Sequence, residues 1–197
     1  MKGIFVTGTD TGIGKTVGSA VLMFALRSFL PVCYWKPVQT GIEEDDDTQT
    51  VIDLAGLSQS EVLSSGIRLR GPFSPHLSAR MAGVKISLDE VLAIREDADQ
   101  SKFHIVEGAG GVLVPLNETE LILDLIRELT MPAIVVAKSG LGTINHTCLT
   151  VEALRREGIE VAGVIMNGLP NPENRAAIEH YGQVGVIAEI PESTDIT

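Results

Sequence analysis

A doubly wound α/β fold, with a mostly parallel sheet covered by helices on both faces, is what this sequence predicts. Six short runs rich in Val and Ile recur along the chain, nearly continuous rather than alternating, as strands buried on both faces require. Helical patterns lie between them and supply the cover. A glycine-rich turn joins the first run to the first helical pattern.

In chain order, Ile4–Thr7 reads as the first strand and Gly8–Gly14 as the loop after it. The apolar stretch Val17–Phe29 follows, interrupted by Gly18, Ser19, Arg27 and Ser28, which suits a helix packed on a sheet; Pro31 closes it. Val32–Val38 reads as the second strand, and the irregular stretch Ser64–Pro75 as an excursion within the domain. Ser87 with Glu90 forms a capping box before Val91 and Leu92. Further strands are expected at His104–Glu107, Ala133–Ala137, Val161–Met166 and Val184–Ile187, and Asn171 followed by Pro172 opens a helix that runs to Tyr181. With no internal repeat or low-complexity linker, residues 1–197 read as a single domain, large enough to bury both faces of a sheet.

Composition narrows the function. Twenty-six acidic against fifteen basic residues give a net charge of −11, and no lysine or arginine cluster breaks the excess, so a nucleic-acid surface is not expected. No segment is apolar enough to span a membrane, and Met1–Val6 is too brief for a signal peptide. Cys33 and Cys148 lack metal-ligand spacing and read as reduced, buried thiols of a cytoplasmic protein.

The segment Gly3–Thr16, GIFVTGTDTGIGKT, carries the clearest chemistry. A glycine-rich loop between strand and helix turns backbone N–H groups inward, Lys15 adds a mobile positive charge, and the Thr16 hydroxyl can ligate magnesium. Gly8, Gly12 and Gly14 supply close approach and positive φ. Five residues rather than four separate Gly8 from Gly14, so GKT and its context carry the reading of a phosphate-binding loop and of a P-loop NTPase type of fold. Ligands of such sheets gather at the carboxyl ends of the strands. There stand Lys36–Gly41 (KPVQTG), Glu107–Gly111 (EGAGG) and Asn167. Glu107 is placed to hold metal, and one or two members of the acidic run Glu43–Asp47 could join it. Lys36 ends a strand where a second ammonium could face a transferring phosphoryl group. His76 and His146 have no ligand spacing and receive no catalytic role.

Together FVTGTDTGIGKT, KPVQTG, SPHLSAR (Ser74–Arg80), EGAGGVLVPL (Glu107–Leu116) and GLGTINHTCLT (Gly140–Thr150) resemble the dethiobiotin synthetase family nearly end to end. The resemblance implies an ATP-dependent cyclo-ligase of biotin biosynthesis that carboxylates 7,8-diaminononanoate with CO2 and phosphorylates the carbamate. The resulting carbamic-phosphoric anhydride closes to the ureido ring of dethiobiotin, releasing ADP and phosphate. It further implies that Gly12, Ile13, Gly14, Lys15, Thr16 and Val17 cradle the phosphates and that Thr16, Asp47 and Glu107 hold Mg2+. Lys36 and Lys15 would be the catalytic lysines, and Thr11 and Thr40 would meet the diamine. Gly108, Ala109 and Gly110 would line the nucleotide site, with Asn167, Gly168, Ile190, Pro191 and Glu192 beside the base. Members of the family work as homodimers, which would bring Leu141, Gly142 and Asn145 to the neighbouring subunit's substrate. The rival reading, a partner-switched ATPase of the chromosome-partitioning type, normally carries an extra lysine near the first loop glycine, where this chain has Thr7, Gly8, Thr9 and Asp10.

Overall fold

The computed structural model describes residues 1–191. Nine strands and seven α-helices follow one another as β1 (Lys2–Gly8), α1 (Lys15–Leu26), β2 (Val32–Trp35), β3 (Val38–Gln39), α2 (Asp47–Ala55), β4 (Val62–Leu63), β5 (Ile67–Arg68), α3 (Pro75–Ala82), α4 (Leu88–Ile94), β6 (Phe103–Gly111), α5 (Ile122–Leu129), β7 (Ala133–Lys138), α6 (Thr143–Arg156), β8 (Val161–Asn167), α7 (Pro172–Gly182) and β9 (Val186–Ile190). Seven strands form one sheet in the order β4-β2-β6-β1-β7-β8-β9, and β3 with β5 form a small second sheet. Every named strand pair is parallel. From β1 the chain runs to β2 and β4 on one side and returns to insert β6 between β1 and β2. It then runs outward through β7, β8 and β9 on the other, the reversal of direction that the doubly wound reading expects.

The near-continuous apolar runs explain why both faces are covered. Successive strand residues point to opposite sides. Phe5, Trp35, Val106, Val135 and Val164 join one core with α3 to α7, while Val6, Tyr34, Ile105, Ile134, Val136 and Ile165 join the other with α1 and α2. Helix ends follow their local chemistry: Ser87 and Glu90 exchange the two bonds of a capping box at 3.2 and 3.0 Å, and the Asn171 side chain accepts from the N–H of Asn174 at 3.0 Å.

Several boundaries differ from expectation. The run 32–38 is not one strand: Pro37 has no N–H to donate, so β2 stops at Trp35 and the chain steps sideways into β3. The excursion 64–75 contains β5, pinned to β3 by Pro37 and Gln39, whose carbonyls accept from Ile67 and Leu69. β6 continues through Gly111, so Gly108–Gly111 belongs to the strand rather than to the loop after it, and α1 begins at Lys15 and ends at Leu26. β9 lies two to three residues later than expected. Cys33 is buried, whereas Cys148 is only half-buried. Among the described residues no helix is long and apolar enough to cross a membrane.

His104 in β6 is fully buried, and its Nε2 has no hydrogen-bond partner among the described residues. Burial holds its pKa below the ordinary value. A depressed folded-state pKa means that the unfolded chain binds the proton more readily, so this contribution is complete above about pH 6.5 and is lost as pH falls below it. Melting temperature should decline below that pH less steeply in His104→Gln than in the unsubstituted chain; parallel declines would dismiss this histidine as a source of acid lability.

Candidate active site

The loop between β1 and α1 leaves its anion-binding groups free. Helix α1 starts after Gly14 with no side-chain cap, so its first N–H groups remain open to a ligand. Gly14 has φ 93°, and a Cβ there would lie 2.2 Å from the Asn167 amide nitrogen, so both conformation and space demand glycine. Gly12 also has positive φ; Gly8 does not, because it is the last residue of β1 and serves close approach to Ile13 instead. The Lys15 ammonium folds back over the loop and donates to the Asp10 carbonyl at 3.0 Å.

Burial lowers the Lys15 pKa to about 8, helped by repulsion from Lys36. Nucleotide phosphates favour the ammonium, so binding at pH values above about 8 should draw a proton from solution. In calorimetry above about pH 8, the enthalpy of ATP binding should then depend on the buffer's ionisation enthalpy. Binding with no proton uptake at the higher pH would contradict this account of Lys15.

Beside the loop, three chain segments bring opposite charges into contact. Lys36, at the end of β2 and 3% exposed, donates to Glu107 Oε1 at 2.8 Å and to the Gly108 carbonyl at 3.2 Å. Its ammonium is also 2.5 Å from Asp47 Oδ2. The Thr16 hydroxyl stands 2.9 Å from Asp47 Oδ1 and 3.1 Å from Glu107 Oε1. Burial disfavours the Lys36 cation, but Glu107 and Asp47 outweigh it and hold the pKa above the ordinary value; burial likewise opposes the Asp47 anion, and Lys36 with Thr16 overcomes it and lowers that pKa. The ammonium that the sequence reading aimed at a phosphoryl group is thus bound, in this structure, to two carboxylates.

The acidic run divides its labour by position. Asp46 caps α2, accepting from the N–H groups of Thr48 and Gln49, which turns the next residue, Asp47, to Thr16 and Lys36. Glu43 is exposed and 3.7 Å from Arg70. Two supports escaped the sequence reading. Tyr34, fully buried, donates its hydroxyl to Glu107 Oε2 at 3.0 Å. Arg68 donates to the Lys36 carbonyl at 2.9 Å and to the Thr48 hydroxyl at 3.2 Å, tying β5 to both sides of the site. A tyrosine two residues before a strand-end lysine points to the same sheet face as that lysine, which was the available signal.

A cleft of about 550 Å3 joins these groups. It gathers Thr11, Gly12, Gly14, Lys15, Thr16, Val17, Lys36, Thr40, Asp47, Glu107, Ala109 and Gly110. Ile13 and Gly108 serve through their carbonyls, which accept from Asn167 and Lys36. Asn167, Gly168, Ile190 and Pro191 lie at the carboxyl ends of β8 and β9, where the Gly168 N–H donates to Ile190 O at 2.9 Å. One Asn167 Nδ2 contact is thus spent on the phosphate loop, at 3.0 Å from Ile13 O. Glu192 lies outside the described residues. Leu141, Gly142 and Asn145 stand outside the cleft at the start of α6, with Leu141 96% exposed.

A family model described as an AAA domain matches residues 2–197. The chain is 47% identical over 197 residues, all of it and 91% of the relative, to a protein of Paramagnetospirillum magneticum named ATP-dependent dethiobiotin synthetase BioD. This chain belongs to the dethiobiotin synthetase family. A dethiobiotin synthetase of Agrobacterium fabrum is 44% identical across 98% of the chain and 87% of its own length. A Bordetella avium protein named biotin biosynthesis bifunctional protein BioCD is 46% identical over 97% of the chain, which spans 40% of that larger protein. Among solved structures, a ParA family ATPase from Chlorobium tepidum superposes with a TM-score of 0.60 at 13% identity, covering 99% of this chain and 87% of that one. The MinC:MinD complex of Aquifex aeolicus gives 0.60 at 14%, covering 98% and 83%. At such identity the likeness is one of fold alone.

Proposed function

We propose that this single domain, residues 1–197, is an ATP-dependent dethiobiotin synthetase that carboxylates 7,8-diaminononanoate with CO2 and closes its ureido ring. The observation that carries the reading is the meeting of Lys36, Asp47, Glu107 and Thr16 beside a phosphate loop, in a chain with family relatives across its whole length. A hydroxyl and two carboxylates form an all-oxygen donor set suited to magnesium. No group of three His, Cys, Asp or Glu side chains that could hold a metal occurs among the described residues, so phosphate oxygens and water would complete the shell. Bound there by Thr16, Asp47 and Glu107, magnesium would shield the phosphate charge during transfer.

The chain's own groups account for the rest. Gly12 to Val17 receive the phosphates through backbone N–H groups, and Lys15 neutralises them. Gly108, Ala109 and Gly110 form the adjoining wall; Asn167, Gly168, Ile190 and Pro191 flank the base. Thr11 and Thr40 orient the diamine. One amine adds to CO2 and releases a proton, leaving a carbamate anion. A carbamate oxygen attacks the γ-phosphorus as the bond to ADP breaks, and Lys36 and Lys15 offset the gathered negative charge. The second amine then attacks the carbonyl carbon and phosphate departs, closing the ring. A partly enclosed cleft limits water, which would otherwise hydrolyse the mixed anhydride.

The homodimer and a cytoplasmic location belong to the same proposal. Exposed Leu113, Leu141 and Leu149 offer apolar surface near α6, whose uncapped N-terminus suits the substrate carboxylate of a neighbouring subunit. If the site is shared, mixing Lys36→Ala with Asn145→Asp should restore activity that neither has alone, because the mixed dimer regains one intact site. Absence of complementation in a confirmed mixed dimer would confine the site to one chain. The direct test of function is incubation with diaminononanoate, bicarbonate, ATP and magnesium, with dethiobiotin followed by mass. ATP hydrolysis indifferent to the diamine would sink the proposal.

A further inference from the structure

The fully buried Glu107 carboxylate, the Asp47 carboxylate, 22% exposed, and one hydroxyl form the metal site proposed above, yet a lysine already sits in it. Thr16 and Lys36 share the same oxygen, Glu107 Oε1, at 3.1 and 2.8 Å, and both also contact Asp47, at 2.9 and 2.5 Å. Magnesium held by Thr16, Asp47 and Glu107 would draw on the same carboxylate groups that now accept from the Lys36 ammonium. Repulsion between a divalent cation and an ammonium that share those groups is weakly screened where Lys36 is 3% and Glu107 0% exposed. Conversely, with neither cation present, the Glu107 carboxylate would lie fully buried with no cation on Oε1, which burial penalises heavily.

We propose that Lys36 is a stand-in for the divalent cation: it closes the acidic pair in the nucleotide-free protein and is displaced into the cleft when magnesium and nucleotide arrive. The inference rests on the reading that Thr16, Asp47 and Glu107 hold the metal. The Lys36 backbone is fixed by Arg68, which donates to its carbonyl at 2.9 Å, and by the β2 end before Pro37, so the exchange needs only rotation of a flexible four-carbon stem. Glu107 stays in register meanwhile, because Tyr34 holds its other oxygen at 3.0 Å. The displaced ammonium enters the cleft that Lys36 lines together with Thr11, Lys15, Thr40 and Gly110. Metal loading and delivery of the second lysine to the reacting anions thereby become a single event.

Mn2+ binding to the nucleotide-free protein, followed by loss of the free-ion electron paramagnetic resonance signal, tests this without turnover. Lys36→Met should bind Mn2+ at least about tenfold tighter than the unsubstituted chain, and adding Asp47→Asn should abolish the gain. A folded Lys36→Met protein with unchanged Mn2+ affinity would overturn the exchange. Should that variant fail to fold, the unsubstituted chain carries the test by NMR with 13Cε-labelled lysine, the signal being assigned through Lys36→Arg. The Lys36 resonance should move on addition of magnesium with a non-hydrolysable ATP analogue and hold its position with the analogue plus chelator; a stationary signal in both overturns the proposal. Dethiobiotin formation is measured separately, so product with no Mn2+ effect discards the exchange alone. Cation exchange with no product would discard the enzymatic reading instead.

Discussion

Lys36→Ala should lower dethiobiotin formation by about 10²–10³-fold or more at saturating substrates, while metal-free ATP still binds within a few-fold of its normal affinity. The side chain is 3% exposed and faces Asp47 and Glu107, so it does not hold the phosphate loop, whose own lysine donates to Asp10. What it can offset is charge that builds up in the reaction, when a carbamate and a γ-phosphate share the cleft. The backbone at this position remains held by Arg68 and by the pairing of β2 with β6, which limits collateral damage. Lys15→Ala should behave differently, losing nucleotide affinity and turnover together, because Lys15 belongs to the loop. Rates and binding measured side by side decide the matter. Equal losses of binding and turnover in both variants would erase the division of labour.

Glu107→Ala should abolish turnover and also destabilise the fold by about 3–5 kcal/mol, read from urea denaturation. Glu107 is fully buried and satisfies three neighbours at once: Lys36 and Thr16 on Oε1 and the Tyr34 hydroxyl on Oε2. Removing it leaves a buried ammonium with Asp47 as its remaining carboxylate and a buried phenol with no acceptor, beside the cavity of the lost side chain. Tyr34→Phe, which deletes the hydroxyl alone, should cost about 1–2 kcal/mol and weaken metal-dependent activity by freeing the carboxylate to rotate. An unchanged denaturation midpoint in Glu107→Ala would mean that the charge cluster does not hold the sheet centre together.

Much of this was legible because the signals are local. Near-continuous Val and Ile at 133–137 and 161–166 specify buried parallel strands whatever surrounds them, and Gly14-Lys15-Thr16 between strand and helix specifies an anion loop by backbone geometry alone. Glu107 was found because a carboxylate has no solvent inside a sheet and so needs a partner. The boundaries were harder. Glycines at 108, 110 and 111 read as a loop, yet pairing with β1 carries them as strand through Gly111. β4 and β5 are two residues each, too short for any periodicity to register, and exist because β2 and β3 present unpaired edges to them.

Fold class, the phosphate loop, the two lysines and the metal-ligand candidates follow from residue order, since each depends on periodicity or on neighbours a few positions away. Which partner Lys36 takes, the contact of Asp47 with both Thr16 and Lys36, and the support from Tyr34 and Arg68 depend on distance in space. Glu107 is 71 residues from Lys36 and 91 from Thr16, and the sheet order that places β6 between β1 and β2 is what makes those separations hydrogen-bond lengths. Electrostatic contact depends on that folded distance, and a linear string of residues does not carry it.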